Sequence, residues 1–180
     1  MSAGIGPPER DGRRRTVIRT GIGYDSHRFA PGGRMLLGGV EVATHIHLAG
    51  HSDGDAVAHA LTDALLGAAA AGDIGSMFPD TDPANLNRDS MEMLLAAVMV
   101  LRDAGYSVVN ADITVIAESP RIAKDRDTIR ASVAKTLGIS MEQVSLKGKT
   151  NEGMGWIGRG EGLACMAVAT ITREATTGAD

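Results

Sequence analysis

Asp25-Ser26-His27 follows a run of β-branched residues and glycines, Val17 to Tyr24, that reads as a strand. In an extended chain positions i and i+2 share a face, so a carboxylate and an imidazole emerge side by side at the strand end. His59 falls on the polar stripe of a helical pattern, one turn past its start, and supplies a third ligand if that helix begins beside the strand. Asp-His-His suits Zn²⁺ or a similar divalent ion, and three protein ligands leave one position open, as a catalytic site requires. The plainer alternative is a solvated acid and imidazole at a strand end, with the helix histidine satisfied by Asp55 or Asp63.

Other segments carry chemistry with equally plain alternatives. His51-Ser52 stands where the helix opens, so free N–H groups there attract an anion such as phosphate, or Ser52 simply caps. Asp53 and Asp55 need no function beyond favouring a helix start, and His45 and His47 decorate a loop. Asp73-Ile74-Gly75 and Phe78-Pro79-Asp80-Thr81-Asp82 form an acidic loop whose carboxylates suit sugar hydroxyls, or only turn chemistry. Lys147 to Gly153 ends a strand with two cations, a hydroxyl and the Glu152 carboxylate, suited to phosphates and a second hard cation such as Mg²⁺. It lacks P-loop spacing. Gly158-Arg159-Gly160-Glu161-Gly162 is an exposed turn or an Arg–Glu pair at an oligomer centre.

The elements that position these groups follow from periodicity. Val17–Tyr24 and Met35–Val42 are expected to pair as a hairpin across the turn residues 28–33. The first helix opens with Ser52 or Asp53 as N-cap, stops at Gly72, and buries Val57, Leu61, Ala64 and Ala68, while Asp55, His59 and Asp63 line the opposite side. A second helix, Ser90 to Ala104, turns Met91, Leu94, Leu95, Val98 and Leu101 inward. A third, Lys124 to Leu137, buries Ile129, Val133 and Leu137 before Gly138. Ser107–Ala117, Val144–Thr150 and Gly162–Ile171 read as strands, the last apolar on both faces and so central.

The pattern predicts an α+β fold, a mixed four-to-five-stranded sheet with helices on one face. The other face needs a cover, which predicts a homo-oligomer. Residues 16–174 form one domain, flanked by a disordered basic extension at 1–15 and a flexible tail at 175–180.

Composition bounds the partners. With 43% apolar and 22% charged residues, the chain of 180 residues can bury a real core. The 18 basic residues against 22 acidic ones give a net charge of −4, and one Trp, two Tyr and two Phe offer no stacking platform, so nucleic acid is not an expected partner. No apolar run approaches the ~20 residues of a membrane span. The single Cys165 excludes an internal disulfide and a cysteine zinc ribbon, which points to a cytoplasmic address.

Four blocks in order resemble the 2-C-methyl-D-erythritol 2,4-cyclodiphosphate synthase family of the non-mevalonate isoprenoid pathway. They are G-x-D-x-H (Gly23, Asp25, His27), the HSDGD block from His51 to Ala68, the GDIG block from Gly72 to Asp82, and GRGEG from Gly158 to Gly162. The resemblance spans about residues 18 to 172. It implies a lyase acting on 4-diphosphocytidyl-2-C-methyl-D-erythritol 2-phosphate, whose 2-phosphate attacks the β-phosphorus and expels CMP. It also implies a homotrimer, sheets facing inward, with active sites between subunits.

By that resemblance Asp25, His27 and His59 are zinc ligands, and Glu152 holds a second divalent ion, Mg²⁺ or Mn²⁺, with the substrate diphosphate. His51 and Thr150 act on phosphate oxygens in the transition state, assisted by Ser52. Asp73 and Gly75 bind erythritol hydroxyls, within a loop that also includes Ile74, Phe78, Pro79, Asp80, Thr81 and Asp82. Ala117, Glu118, Ser119, Pro120, Arg121, Ile122 and Ala123 line the cytidine pocket. Ser26, Lys149, Asn151, Trp156 and Arg159 complete the substrate-binding set.

Lys149 and Asn151 stand where many members have threonines, Arg121 where lysine is common, and Trp156 where phenylalanine is usual. The length leaves no room for the cytidylyltransferase domain fused in bifunctional relatives, so cyclisation alone is expected. Two other activities remain open: a zinc-dependent phosphoesterase, and a trimeric carrier binding a diphosphate lipid near Arg159 and Glu161.

Overall fold

The computed structural model describes residues 15–175. Its elements in chain order are β1 (Thr16–Pro31), β2 (Met35–Leu37), β3 (Val40–Ala43), β4 (Ile46–Ala49), α1 (Ala56–Ala69), α2 (Ile74–Met77) and α3 (Ser90–Asp103). There follow β5 (Ser107–Ile116), α4 (Arg126–Leu137), β6 (Val144–Lys149), α5 (Gly155–Gly158) and β7 (Gly162–Glu174). Nearly all of the extension 1–15 and the tail 175–180 lies outside the described residues. Their described members meet: the Ala175 N–H donates to the Arg15 carbonyl at 2.7 Å.

Five strands form one mixed sheet in the order β4-β1-β7-β5-β6. Only β5 and β6 run parallel, joined by the α4 crossover; the other neighbours are antiparallel. β7 is central, as its two apolar faces predicted. The expected hairpin between 17–24 and 35–42 does not form. Gly38 and Gly39, at φ of 59° and 75°, instead fold β2 onto β3 as a separate two-stranded ribbon. β1 pairs with β7 from Thr16 to Arg28, and its last four residues pair with β4.

α1 lies on β1 and β7, and the reason is the small residues between them. A Cβ on Gly21 would sit 2.1 Å from the Ala64 carbonyl oxygen. With no side chain there, helix and strand backbones touch, and the alanines at 60, 64 and 68 form the matching stripe. Val57, Leu61, Ala64 and Ala68 are buried as expected, but so are Thr62, Leu65 and Leu66, because the other flank of α1 is covered by α3.

α1 begins at Asp55, not at Ser52 or Asp53, and ends at Ala70 in the left-handed conformation, not at Gly72. On α3, Leu94, Val98 and Leu101 turn inward with Met93 and Ala97, while Leu95 is 45% exposed, because the buried face is centred one position away from the expected one. The third helix starts at Arg126, after a 3-10 turn at Ile122–Lys124, and ends at Gly138.

All three long helices pack on the sheet face that carries Gly21 and Gly23. The opposite face leaves Ile18, Ile22 and Tyr24 of β1 and Met166 and Val168 of β7 exposed, with Ile22 paired to Val168 and Tyr24 to Met166. No described helix is long and apolar enough to cross a membrane.

Candidate active site

Gly21, Gly23, Asp25 and His27 alternate along β1 onto the helix-bearing face. The seating of Gly23 under α1 brings His59 over the end of that row. Asp25 Oδ2 lies 2.9 Å from His27 Nε2 and 3.2 Å from His59 Nδ1, and the two histidine nitrogens are 3.2 Å apart. Donor atoms bound to one tetrahedral zinc at ~2.0–2.1 Å stand roughly 3.3 Å apart, so this donor set fits such an ion. Among the described residues it is the one group of three or more His, Cys, Asp or Glu side chains gathered this way.

Both histidines are held from behind. His27 Nδ1 lies 2.8 Å from the Ala49 carbonyl at the end of β4; a hydrogen donated there would leave the Nε2 lone pair to an ion when one is bound. Gly50 makes room, since a Cβ on it would press within 2.9 Å of the His27 ring. His59 Nε2 lies 2.8 Å from Ser90 Oγ and 3.0 Å from Ser52 Oγ.

Charge is strongly coupled in this group. Burial raises the Asp25 carboxyl, but hydrogen bonds from His27 and His59 outweigh it and hold the group far below the usual carboxylate range. Burial lowers His27, and the hydrogen bond and charge of Asp25 more than reverse that, raising it above 6.5.

The three side chains stand in a cleft of about 320 Å³ that also meets His51, Ser52, Ile74, Gly75, Phe78 and Asp80. Asn85 and Met93 line it too, and neither was anticipated. Asp73, Pro79, Thr81 and Asp82 do not line it. Asp73 caps α2, which replaces the expected loop at 74–77, and Asp82 caps the turn Pro83–Asn85. The α1 N-terminus is not an open anion site either, because the fully buried Asp55 carboxylate accepts the Val57 and Ala58 N–H groups.

A second cleft, about 460 Å³, brings together Ala117, Pro120, Arg121, Ile122, Ala123, Lys149 and Thr150, with Arg126 and Lys147 as further cations. Glu118 turns away from it and accepts the Asn151 and Gly153 N–H groups at 3.0 and 3.1 Å. That bond shapes the loop after β6, in which Glu152 adopts a φ of 51° and accepts the Thr150 hydroxyl at 2.7 Å. Ser119 is exposed. The two clefts share no lining residue. Ser26 and Trp156 meet in a third, smaller hollow with Arg28 and Glu161, and Arg159 pairs with Glu161 at 2.6 Å.

Sequence reasoning missed Asp53, Ser90 and the Ala49 carbonyl as supports of the histidines. Their local signals, a helix-start acid, a helix-start serine and a strand-end alanine, are those of ordinary structure.

Known proteins resemble this chain in sequence and in fold. The model of the YgbB family matches residues 18–172. The 2-C-methyl-D-erythritol 2,4-cyclodiphosphate synthase of Gemmatimonas aurantiaca is 59% identical over 155 residues, covering 86% of this chain and 93% of that protein. The bifunctional IspDF of Campylobacter jejuni superposes with a TM-score of 0.86 at 40% identity, covering 88% of this chain and 43% of that one. IspF of Plasmodium falciparum, solved as a CDP complex, gives 0.77 at 34% identity, with 88% and 97% covered. The chain therefore belongs to the YgbB family, among relatives that bear the name 2-C-methyl-D-erythritol 2,4-cyclodiphosphate synthase.

Proposed function

We propose that the protein is a 2-C-methyl-D-erythritol 2,4-cyclodiphosphate synthase, a lyase that turns 4-diphosphocytidyl-2-C-methyl-D-erythritol 2-phosphate into the cyclic diphosphate and CMP. The observation that carries this reading is the convergence of Asp25, His27 and His59 in a cleft beside His51 and Ser52, in a chain 59% identical to a relative of that name.

The nucleophile and the electrophile belong to one substrate, so the protein has to fold that molecule back on itself and offset crowded phosphate charge. A phosphate oxygen is anionic near neutral pH, and no general base is needed. Asp25, His27 and His59 would hold a zinc ion and Glu152 would help hold a Mg²⁺ or Mn²⁺ on the diphosphate; when bound, these supply Lewis-acid polarisation of the phosphates. His51 and Ser52 donate to phosphate oxygens from the metal cleft, and Thr150 does so from the second once its hydroxyl turns from Glu152. Ile74, Gly75, Phe78 and Asp80 shape the floor under the erythritol, with Asp73, Pro79, Thr81 and Asp82 supporting that loop. The cytidine lies along Ala117–Ala123, where Arg121 and Lys149 add positive charge next to its diphosphate. Ser26, Asn151, Trp156 and Arg159 serve at the margins.

One substrate has to reach both clefts, which share no wall within a chain. A homotrimer with its sheets inward resolves this by setting the metal cleft of one subunit beside the second cleft of a neighbour. The exposed Ile22, Tyr24, Met166 and Val168 support that packing. Light scattering should give three times the chain mass.

The test of the reaction is incubation with the diphosphocytidyl substrate in water enriched in oxygen-18. Equimolar CMP and cyclic diphosphate without the heavy isotope support cyclisation. Heavy isotope in the β-phosphate means hydrolysis and overturns the reading.

A further inference from the structure

We propose that Ser90, with Asp53 behind it, is a positioning residue that fixes the tautomer and tilt of the His59 ring; the proposal rests on the reading of Asp25, His27 and His59 as a metal site. Ser90 is the first residue of α3, fully buried, and far in sequence from the histidine it touches.

Asp53 already accepts two backbone N–H groups, from Asp55 at 3.1 Å onto Oδ1 and from Ser90 at 3.1 Å onto Oδ2. The Ser90 hydroxyl also reaches Asp53 Oδ1. A carboxylate in that role only accepts, so the hydroxyl proton points at Asp53. The lone pairs of Ser90 Oγ then face His59 Nε2 at 2.8 Å, and that nitrogen carries a hydrogen. That leaves the Nδ1 lone pair for an ion that would stand between His59, Asp25 and His27, in place of the 3.2 Å contact of Nδ1 with Asp25 Oδ2.

Ser52 Oγ is the competing partner, at 3.0 Å from Nε2. It is half-buried, accepts the Gly54 N–H at 3.2 Å, and has no carboxylate to take its proton, which goes instead to Ser90 Oγ at 3.3 Å. The chain Asp53–Ser90–His59, buried at Ser90, thus sets the ring, and it ties the start of α3 to the metal ligands. Charge carried from Asp53 through a hydroxyl also makes Nδ1 a stronger donor.

The experiment is zinc affinity of the full chain by chelator competition, with circular dichroism to verify the fold. The wild type should bind one zinc per chain; if it binds none, the metal reading itself fails. Given that binding, Ser90→Ala should weaken affinity ~10–100-fold, the usual cost of losing such a support. Ser52→Ala should weaken it less. Asp53→Asn should also weaken binding, and the double variant should lose no more than the weaker single variant, because the two groups act in series. If Ser90→Ala does not fold, Asp53→Asn carries the test. Affinity within about threefold of wild type in the folded variants, additive losses, or a larger loss from Ser52→Ala would overturn the proposal. Nitrogen-15 spectra of the zinc-loaded wild type should show a slowly exchanging proton on His59 Nε2, and rapid exchange there contradicts the assignment.

Discussion

Gly23 lies directly beneath Ala60: a Cβ on the glycine would stand 1.9 Å from the Ala60 carbonyl oxygen. That contact sets the height of α1 above β1 and so the place of His59, the residue before Ala60, over Asp25, two residues beyond Gly23 in the strand. Gly23→Ala has no soft side chain to push aside, only helix backbone. It should destabilise the chain by ~1–3 kcal/mol or more and lower zinc affinity in the folded fraction, as read from urea midpoints and metal titration. An unchanged midpoint would show that the helix can lift freely.

Asp55 ties the turn between β2 and β3 to the start of α1 through its carboxylate. Oδ1 accepts the Gly38, Val57 and Ala58 N–H groups, and Oδ2 accepts that of Gly39 at 2.6 Å. Asp55→Ala removes an N-cap and leaves the buried Gly38 N–H unpaired. A loss of roughly 2–4 kcal/mol in denaturant unfolding is expected. Asp55→Asn, which keeps one accepting oxygen, should recover part of it.

The metal-free chain should show a stability window set by Asp25 and His27. The Asp25 carboxyl is held below its ordinary 3.8, so its contribution is complete above that pH and disappears as pH falls through the lower folded value. His27 is raised above 6.5, so its contribution is complete below 6.5 and disappears as pH climbs through the higher folded value. Zinc requires His27 without its second proton and therefore acts in the opposite direction. Melting curves with and without a chelator should diverge as pH rises beyond 6.5, and curves that converge there would contradict the pairing.

Asp25→Ala and His59→Ala should each abolish stoichiometric zinc and lower the rate of CMP release by at least about 10², the scale of losing one preorganised electrostatic stabiliser. Full zinc content in either variant would remove that residue from the ligand set.

Much of the site was visible before the fold because its signals are local. Asp25 and His27 sit at strand spacing, the run from Val57 to Ala68 has helical spacing, and Gly138 ends α4 as a left-handed cap. The partner of β1 was not visible, because its long neighbour is β7, well over a hundred residues away, and pairing at that distance leaves no period in either strand. The same holds for Ser90 against His59. The start of α1 was misplaced for a different reason: Ser52 and Asp53 are both good caps, but both are engaged across the fold with His59 and Ser90, and Asp55 takes the position. Ser26, between Asp25 and His27 on the strand, points to the opposite face and meets Trp156, Arg28 and Glu161, a neighbourhood that strand spacing alone does not name.

One ion held by three side chains from a strand and a helix is what the proposed reaction requires. Anomalous diffraction at the zinc edge, from crystals of the zinc-loaded protein, tests it most directly. A single strong peak per chain, ~2.0–2.2 Å from Asp25 Oδ2, His27 Nε2 and His59 Nδ1, is the predicted result. Loaded crystals with zinc elsewhere and none among those three atoms would contradict it.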